Sequence, residues 1–206
     1  MSVLTMIYGE SGSGKSTSFR NFTNDEVAII NVSGKPMPFR SDLKTLSSND
    51  YLTISDWLPK IKQPSIIIDD ATYLMVDQFM ANVQVKGYDK FSYFAQSFTN
   101  LIEVARQLME DKIVYFVGHS DQTDGGREHF KTIGKMLDNY VTLEGKFTTV
   151  LKSVVKDGHY YFQTHNGGAD TVKSPLGMFE EDFIDNDLKM VDDVMREYWN
   201  IPRNIE

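Results

Sequence analysis

The segment Gly9-Glu10-Ser11-Gly12-Ser13-Gly14-Lys15-Ser16 puts three glycines, a lysine and a closing hydroxyl directly behind an apolar run. It matches the pattern G-x-x-x-x-G-K-[ST] in full. Glycines let successive backbone N–H groups turn toward one set of anionic oxygens, which is the chemistry of a phosphate cradle. A helix expected from about Lys15 to Phe22 adds its positive end. In such a cradle Lys15 reaches the β- and γ-phosphates of a nucleotide and the Ser16 hydroxyl ligates magnesium. The loop residues, together with Thr17 behind them, are the candidate nucleotide-binding set, with ATP and Mg2+ as the expected ligands.

A metal held on phosphate needs a carboxylate as well, and Ser65-Ile66-Ile67-Ile68-Asp69-Asp70 is an apolar run ending in two acids. Asp69 is expected to hold magnesium, directly or through water, and Asp70 to stand where a carboxylate activates the attacking water. The plainer alternative is that the acids cap a helix starting near Ala71. A further apolar run, Ile113 to Gly118, leads into His119-Ser120. Ligands sit at the carboxyl ends of parallel strands, so His119 is expected to read the γ-phosphate and pass its presence to residues 121–131. That polar, glycine-bearing segment is read as a mobile loop that either faces a partner or is a plain surface excursion. The catalytic candidates are thus Lys15, Asp70 and His119. Lys173, in a second polar segment, is a candidate cation for a neighbouring subunit's nucleotide, against the alternative of a solvated lysine. Of the aromatics Tyr88, Phe91, Tyr93, Tyr160, Tyr161 and Phe162, most read as core, although any of them could stack on bases.

These groups need a frame. Runs at Val3–Tyr8, Val27–Val32, Ser65–Asp70 and Ile113–Gly118 are apolar without alternation, as in strands buried on both faces. Between the last two, Phe91, Phe94, Ala95, Phe98, Leu101, Ile102, Ala105, Leu108 and Met109 recur at three- and four-residue steps and predict a helix lying on the sheet. The expected fold class is α/β, a mostly parallel sheet flanked by helices with right-handed crossovers. After about residue 138 the pattern changes. Tyr140–Leu143, Phe147–Val155 and His159–Gln163 read as strands, with Lys156-Asp157-Gly158-His159 as a hairpin turn. A last helix over about Asp187–Trp199 closes the chain, and the whole reads as one domain of 206 residues.

Composition narrows the chemistry. With no cysteine, disulfides, thiolate catalysis and cysteine-ligated zinc are excluded, and the four histidines are not at zinc-ligand spacing. A net charge of −8 argues against broad attraction to nucleic acid or anionic membrane, while leaving room for a local basic groove formed on oligomerisation. No run of about 18 apolar residues is present and no signal peptide is read at the start, so a cytoplasmic location is expected.

Gly9–Ser16, Ile66–Asp70, Val117-Gly118-His119-Ser120, Thr132-Ile133-Gly134-Lys135-Met136-Leu137, Lys173–Phe179 and Ile184–Leu188 together resemble small phage-encoded ATPases of the RecA-like kind, several of which are implicated in single-strand annealing and recombination. The resemblance spans nearly the whole chain in order. It implies a RecA-type core with an added β region, and oligomers that place nucleotide between subunits. It also implies single-stranded DNA contacted by loops that include residues 120–131, work in the host cytoplasm, and phage or host replication and recombination proteins as further partners. His119 then falls at a sensor position and Lys173 in a region that supplies lysines in trans. One departure stands out: where RecA carries a catalytic glutamate this chain reads Asn31-Val32-Ser33-Gly34-Lys35-Pro36, without an acid. The expected function is a magnesium-dependent ATPase of phage DNA recombination or replication. Two alternatives stay open: a nucleoside or nucleotide kinase, which the scattered Arg20, Arg40, Arg106, Arg127, Arg196 and Arg203 disfavour, and a nucleotide-regulated adaptor with little turnover.

Overall fold

The computed structural model describes residues 1–87, 89–133 and 142–204. Within these the fold is mixed α/β, with a mostly parallel sheet between helices. The strands are β1 (Val3–Gly9), β2 (Val27–Asn31), β3 (Thr45–Ser47), β4 (Ser65–Asp69), β5 (Ile113–Gln122), β6 (Glu128–Phe130), β7 (Thr149–Lys156), β8 (His159–Gln163) and β9 (Phe183–Asp185). The α-helices are α1 (Tyr51–Trp57), α2 (Thr72–Ala81), α3 (Asp89–Arg106) and α4 (Leu188–Trp199). The strand order is β3-β2-β4-β5-β1-β7-β8-β9, with β6 paired to the end of β5.

Pairing is parallel from β3 through β7 and antiparallel for β7–β8, β8–β9 and β5–β6. The central strands are buried on both faces, so each supplies two cores by alternation. Leu4, Met6, Tyr8, Ile66, Ile68, Val114 and Phe116 pack under α1, α2 and α3, where Phe98, Leu101, Ile102 and Ala105 form the expected stripe. Ile7, Ile29, Ile67, Ile113, Tyr115 and Val117 face the other way, toward Phe19, Phe22 and the apolar side of α4.

Several expectations need correction. The helix behind the glycine loop is a short 3-10 segment, Ser16–Asn21. Ser18 explains part of this, because its hydroxyl donates to the Lys15 carbonyl at 2.6 Å and competes with α-helical pairing there. A macrodipole of any length is therefore absent behind the loop. The segment read as a loop is in part a hairpin: β5 runs on to Gln122 and pairs with β6, Ser120 facing Phe130 and Gln122 facing Glu128. Leu143 opens a 3-10 turn, Leu143–Lys146, instead of ending a strand; Tyr140 and Val141, like Tyr88 and residues 134–137, lie outside the described residues. The hairpin turn after β7 is as expected, with Asp157 and Gly158 both at positive φ. Short elements that carry no pattern of their own, β3, α1, β6 and β9, went unread in the sequence.

Candidate functional site

The carboxyl ends of β1, β4 and β5 open at one edge of the sheet, and the parallel register sets Gly9 beside His119. Loop 9–16 is built by close approaches. A Cβ on Gly9 would lie 2.5 Å from the Ser153 carbonyl oxygen, and one on Gly14 would lie 2.8 Å from the Tyr160 ring. Gly12 and Gly14 also sit at φ 81° and 91°, which turns neighbouring N–H groups to one side. From β7, Ser153 Oγ donates to the Ser13 carbonyl at 2.6 Å and holds the loop from behind. Ser13 Oγ itself is buried with no hydrogen-bond partner among the described residues.

Lys15 is buried, with its ammonium turned back to donate to the carbonyls of Gly9 at 2.8 Å and Glu10 at 2.7 Å. Burial pushes its pKa down, opposed by the charges of Asp70, Asp69 and Glu10. Ser16 Oγ donates to Asp69 Oδ1 at 3.1 Å, and the Asp70 N–H reaches the same oxygen at 3.1 Å. Burial raises the Asp69 carboxyl to about 7, helped by the neighbouring Asp70 charge and opposed by the bond from Ser16. Neither acid caps α2, whose N-cap residue is Ala71 and has no side-chain cap bond. Asp70 instead adopts φ 59°, a left-handed conformation unusual for a residue with a Cβ, at the turn from β4 into α2.

His119 Nε2 lies 3.6 Å from Asp70 Oδ1. Its ring meets Tyr73 edge to face at 5.6 Å, and its backbone N–H donates to Thr72 Oγ1 at 3.0 Å. Burial first, then the Lys15 charge, push its pKa down, opposed by the charge of Asp70. These groups line a cavity of about 380 Å3, together with Ser11, Gly12, Gly14, Thr17, Lys35, Pro38 and Tyr160. A cavity of about 270 Å3 behind the loop is lined by Glu10, Ser11, Gly12, Ser13, Glu128, Lys152 and the end of β7.

The structure therefore brings together Lys15, Ser16, Thr17, Asp70 and His119 around one cavity, with Asp69 bonded to Ser16 but not lining it, while Gly9, Glu10 and Ser13 shape the loop. Lys173 lines neither cavity; its backbone bridges Val150 of β7 at 2.8 and 2.9 Å. Three cavity residues went unrecognised in the sequence. Lys35 and Pro38 come from an irregular stretch with no motif, and Tyr73 was legible only as the residue one helical turn beyond Asp70. Tyr160, counted among the aromatics, is the wall against Gly14.

No cluster of three or more His, Asp or Glu able to hold a metal occurs among the described residues. Ser16 and Asp69 are two hard oxygen donors, a set that suits Mg2+, which binds few side chains and keeps water and phosphate oxygens as its other ligands. Among the described residues no helix is long and apolar enough to cross a membrane. A scan against protein-family models finds no match to this chain, and a search of curated proteins finds none either.

Proposed function

We propose that this chain is a magnesium-dependent ATP-binding and ATP-hydrolysing protein of the P-loop class with a RecA-like core, acting as an oligomer on single-stranded DNA in phage recombination or replication. The observation that carries the nucleotide reading is the meeting of Ser16 and Asp69, 53 residues apart in the chain and 3.1 Å apart in space, beside the buried ammonium of Lys15. A hydroxyl, a carboxylate and a lysine converging under a glycine loop is the arrangement that phosphoryl transfer needs. Ser16 and Asp69 would hold the cation, which when bound offsets charge on the phosphate oxygens.

The chain's own residues do the rest. Lys15 exchanges its two carbonyl partners for phosphate oxygens, a charge-assisted bond stronger than the one it leaves. Asp70, at the cavity wall, accepts the proton of a water aimed at the terminal phosphate. His119 faces that carboxylate from β5, whose far end forms the hairpin with β6. The DNA part of the proposal rests on the family resemblance and on this hairpin as the element that would feel the site.

The test is ATP turnover by the purified protein with magnesium, with and without single-stranded DNA, and with Lys15→Ala as the blank. Turnover that rises with DNA and is lost in the variant is expected. Turnover indifferent to DNA, with no ATP-dependent DNA binding, would remove the DNA part and leave the ATPase. One observation favours a second reading, a nucleotide-regulated adaptor: the carboxyl end of β2 presents Asn31, not an acid. Tight ATP binding without hydrolysis in the wild type would select it.

A further inference from the structure

We infer that Lys35 is a second phosphate-binding cation of this site, one that reads the terminal phosphate of a nucleoside triphosphate and rests on Asp70 until that phosphate arrives. The inference rests on the nucleotide reading above and assigns it a residue that no motif supplies.

The position of Lys35 is set from Asn31. This residue ends β2, beside Asp69 of β4, and is buried. Its side chain builds a turn: Nδ2 donates to the Lys35 carbonyl at 2.6 Å, and Oδ1 accepts from the Gly34 N–H at 2.9 Å and from Ser33 Oγ at 3.3 Å. Gly34, at φ 67°, allows the reversal. The amide thus fixes both ends of a tight loop whose product is the position of one lysine.

That lysine comes back over the cavity. Lys35 Nζ lies 3.9 Å from Asp70 Oδ2 and 4.9 Å from the centre of the Tyr73 ring, and it lines the same cavity as Lys15 and Ser16. Its side chain is 66% exposed. A long ion pair this exposed is weak, and the cation–π contact adds little. A doubly charged phosphate in the same cavity competes for the ammonium with more charge and more acceptor oxygens.

Exchange has a consequence for the chemistry. While Lys35 faces Asp70 Oδ2, a positive charge sits 3.9 Å from that oxygen. When the terminal phosphate draws the ammonium away, Oδ2 is free to accept from water. Departure of that charge makes the carboxylate a better acceptor when there is a phosphate to attack. A diphosphate, anchored by the loop and Lys15, has no terminal group to draw Lys35, so Lys35 contributes to triphosphate affinity alone.

The experiment measures affinities of the wild type, Lys35→Gln, Lys35→Arg and Lys15→Ala for a non-hydrolysable ATP analogue and for ADP, with magnesium, by calorimetry. In Lys35→Gln the analogue is expected to bind about tenfold more weakly, as loss of one charge-assisted bond implies, with ADP affinity unchanged. Lys35→Arg should restore the preference. Equal loss for both ligands, or no loss for either, overturns the role of Lys35 while leaving the nucleotide site standing. If the wild type binds neither ligand, the nucleotide reading falls and this inference with it; Lys15→Ala separates loop binding from nonspecific heat.

Discussion

At the scale of single residues, the site holds charge that folding alone does not favour. Asp69 is almost wholly buried and Lys15 nearly so, and each has its pKa moved toward the neutral form by desolvation. For Asp69 this implies a pH dependence in the ligand-free protein. Below about pH 4 folded and unfolded chains both hold the proton; between there and about 7 the unfolded chain releases it while the folded one keeps it. Stability therefore falls as pH rises through that window and the loss is complete above it. Asp69→Asn should remove this slope, gaining on the wild type by on the order of 4 kcal/mol between pH 4 and pH 8. Urea unfolding of the two proteins at both pH values checks it. A constant difference would mean that Asp69 titrates normally.

At the scale of elements, the key junction is where β5 passes its neighbours. Gly118 touches α2 on one side and β6 on the other: a Cβ there would overlap Thr72 Oγ1 and lie 2.5 Å from the Phe130 ring. Phe130 is buried against Phe98 of α3, at 6.1 Å between ring centres, and has nowhere to retreat. Gly118→Ala should cost about 1–3 kcal/mol. It should also disturb His119, whose N–H is held by Thr72, so that ATP turnover falls more than stability alone explains. Thermal unfolding and turnover of the variant decide this; a fully active, fully stable variant would mean the β5–β6 hairpin yields freely.

At the scale of the whole molecule, the sheet is clamped at the end opposite the site. Asp192 of α4 is fully buried and accepts from Ser65 Oγ at 2.7 Å, Tyr115 OH at 2.9 Å, Arg196 Nε at 2.8 Å and Arg203 Nη2 at 2.5 Å. One carboxylate thus ties the last helix and the chain end to β4 and β5. Asp192→Ala leaves buried Arg196 without its anion and should cost about 3–5 kcal/mol. Removing the exposed pair Asp56–Lys60, each side chain 66% exposed, should cost less than about 1 kcal/mol. Chemical denaturation of the two variants tests the contrast, and similar losses would contradict it.

What the sequence determined by itself is what local patterns encode. The four central strands, the stripe of α3, the β7–β8 turn and the glycine loop were all legible, because burial on two faces, a 3.6-residue period and positive-φ positions leave a mark on neighbouring residues. Lys15 and Ser16 were legible from the glycine pattern that precedes them, and Asp69, Asp70 and His119 from standing at the end of an apolar run. The tertiary structure decided the remainder. Strand order brings β1, β4 and β5 side by side, and only that makes Ser16 and Asp69 neighbours. The β5–β6 hairpin was unreadable because its polar residues are ordered by pairing and by Phe130 in the core, not by any period. Lys35 was unreadable because its place depends on Asn31, an amide whose turn acquires meaning only when Asp70 and Tyr73 stand opposite. Contacts between residues far apart in the chain carry no local signature, and a site assembled from strand ends consists of such contacts.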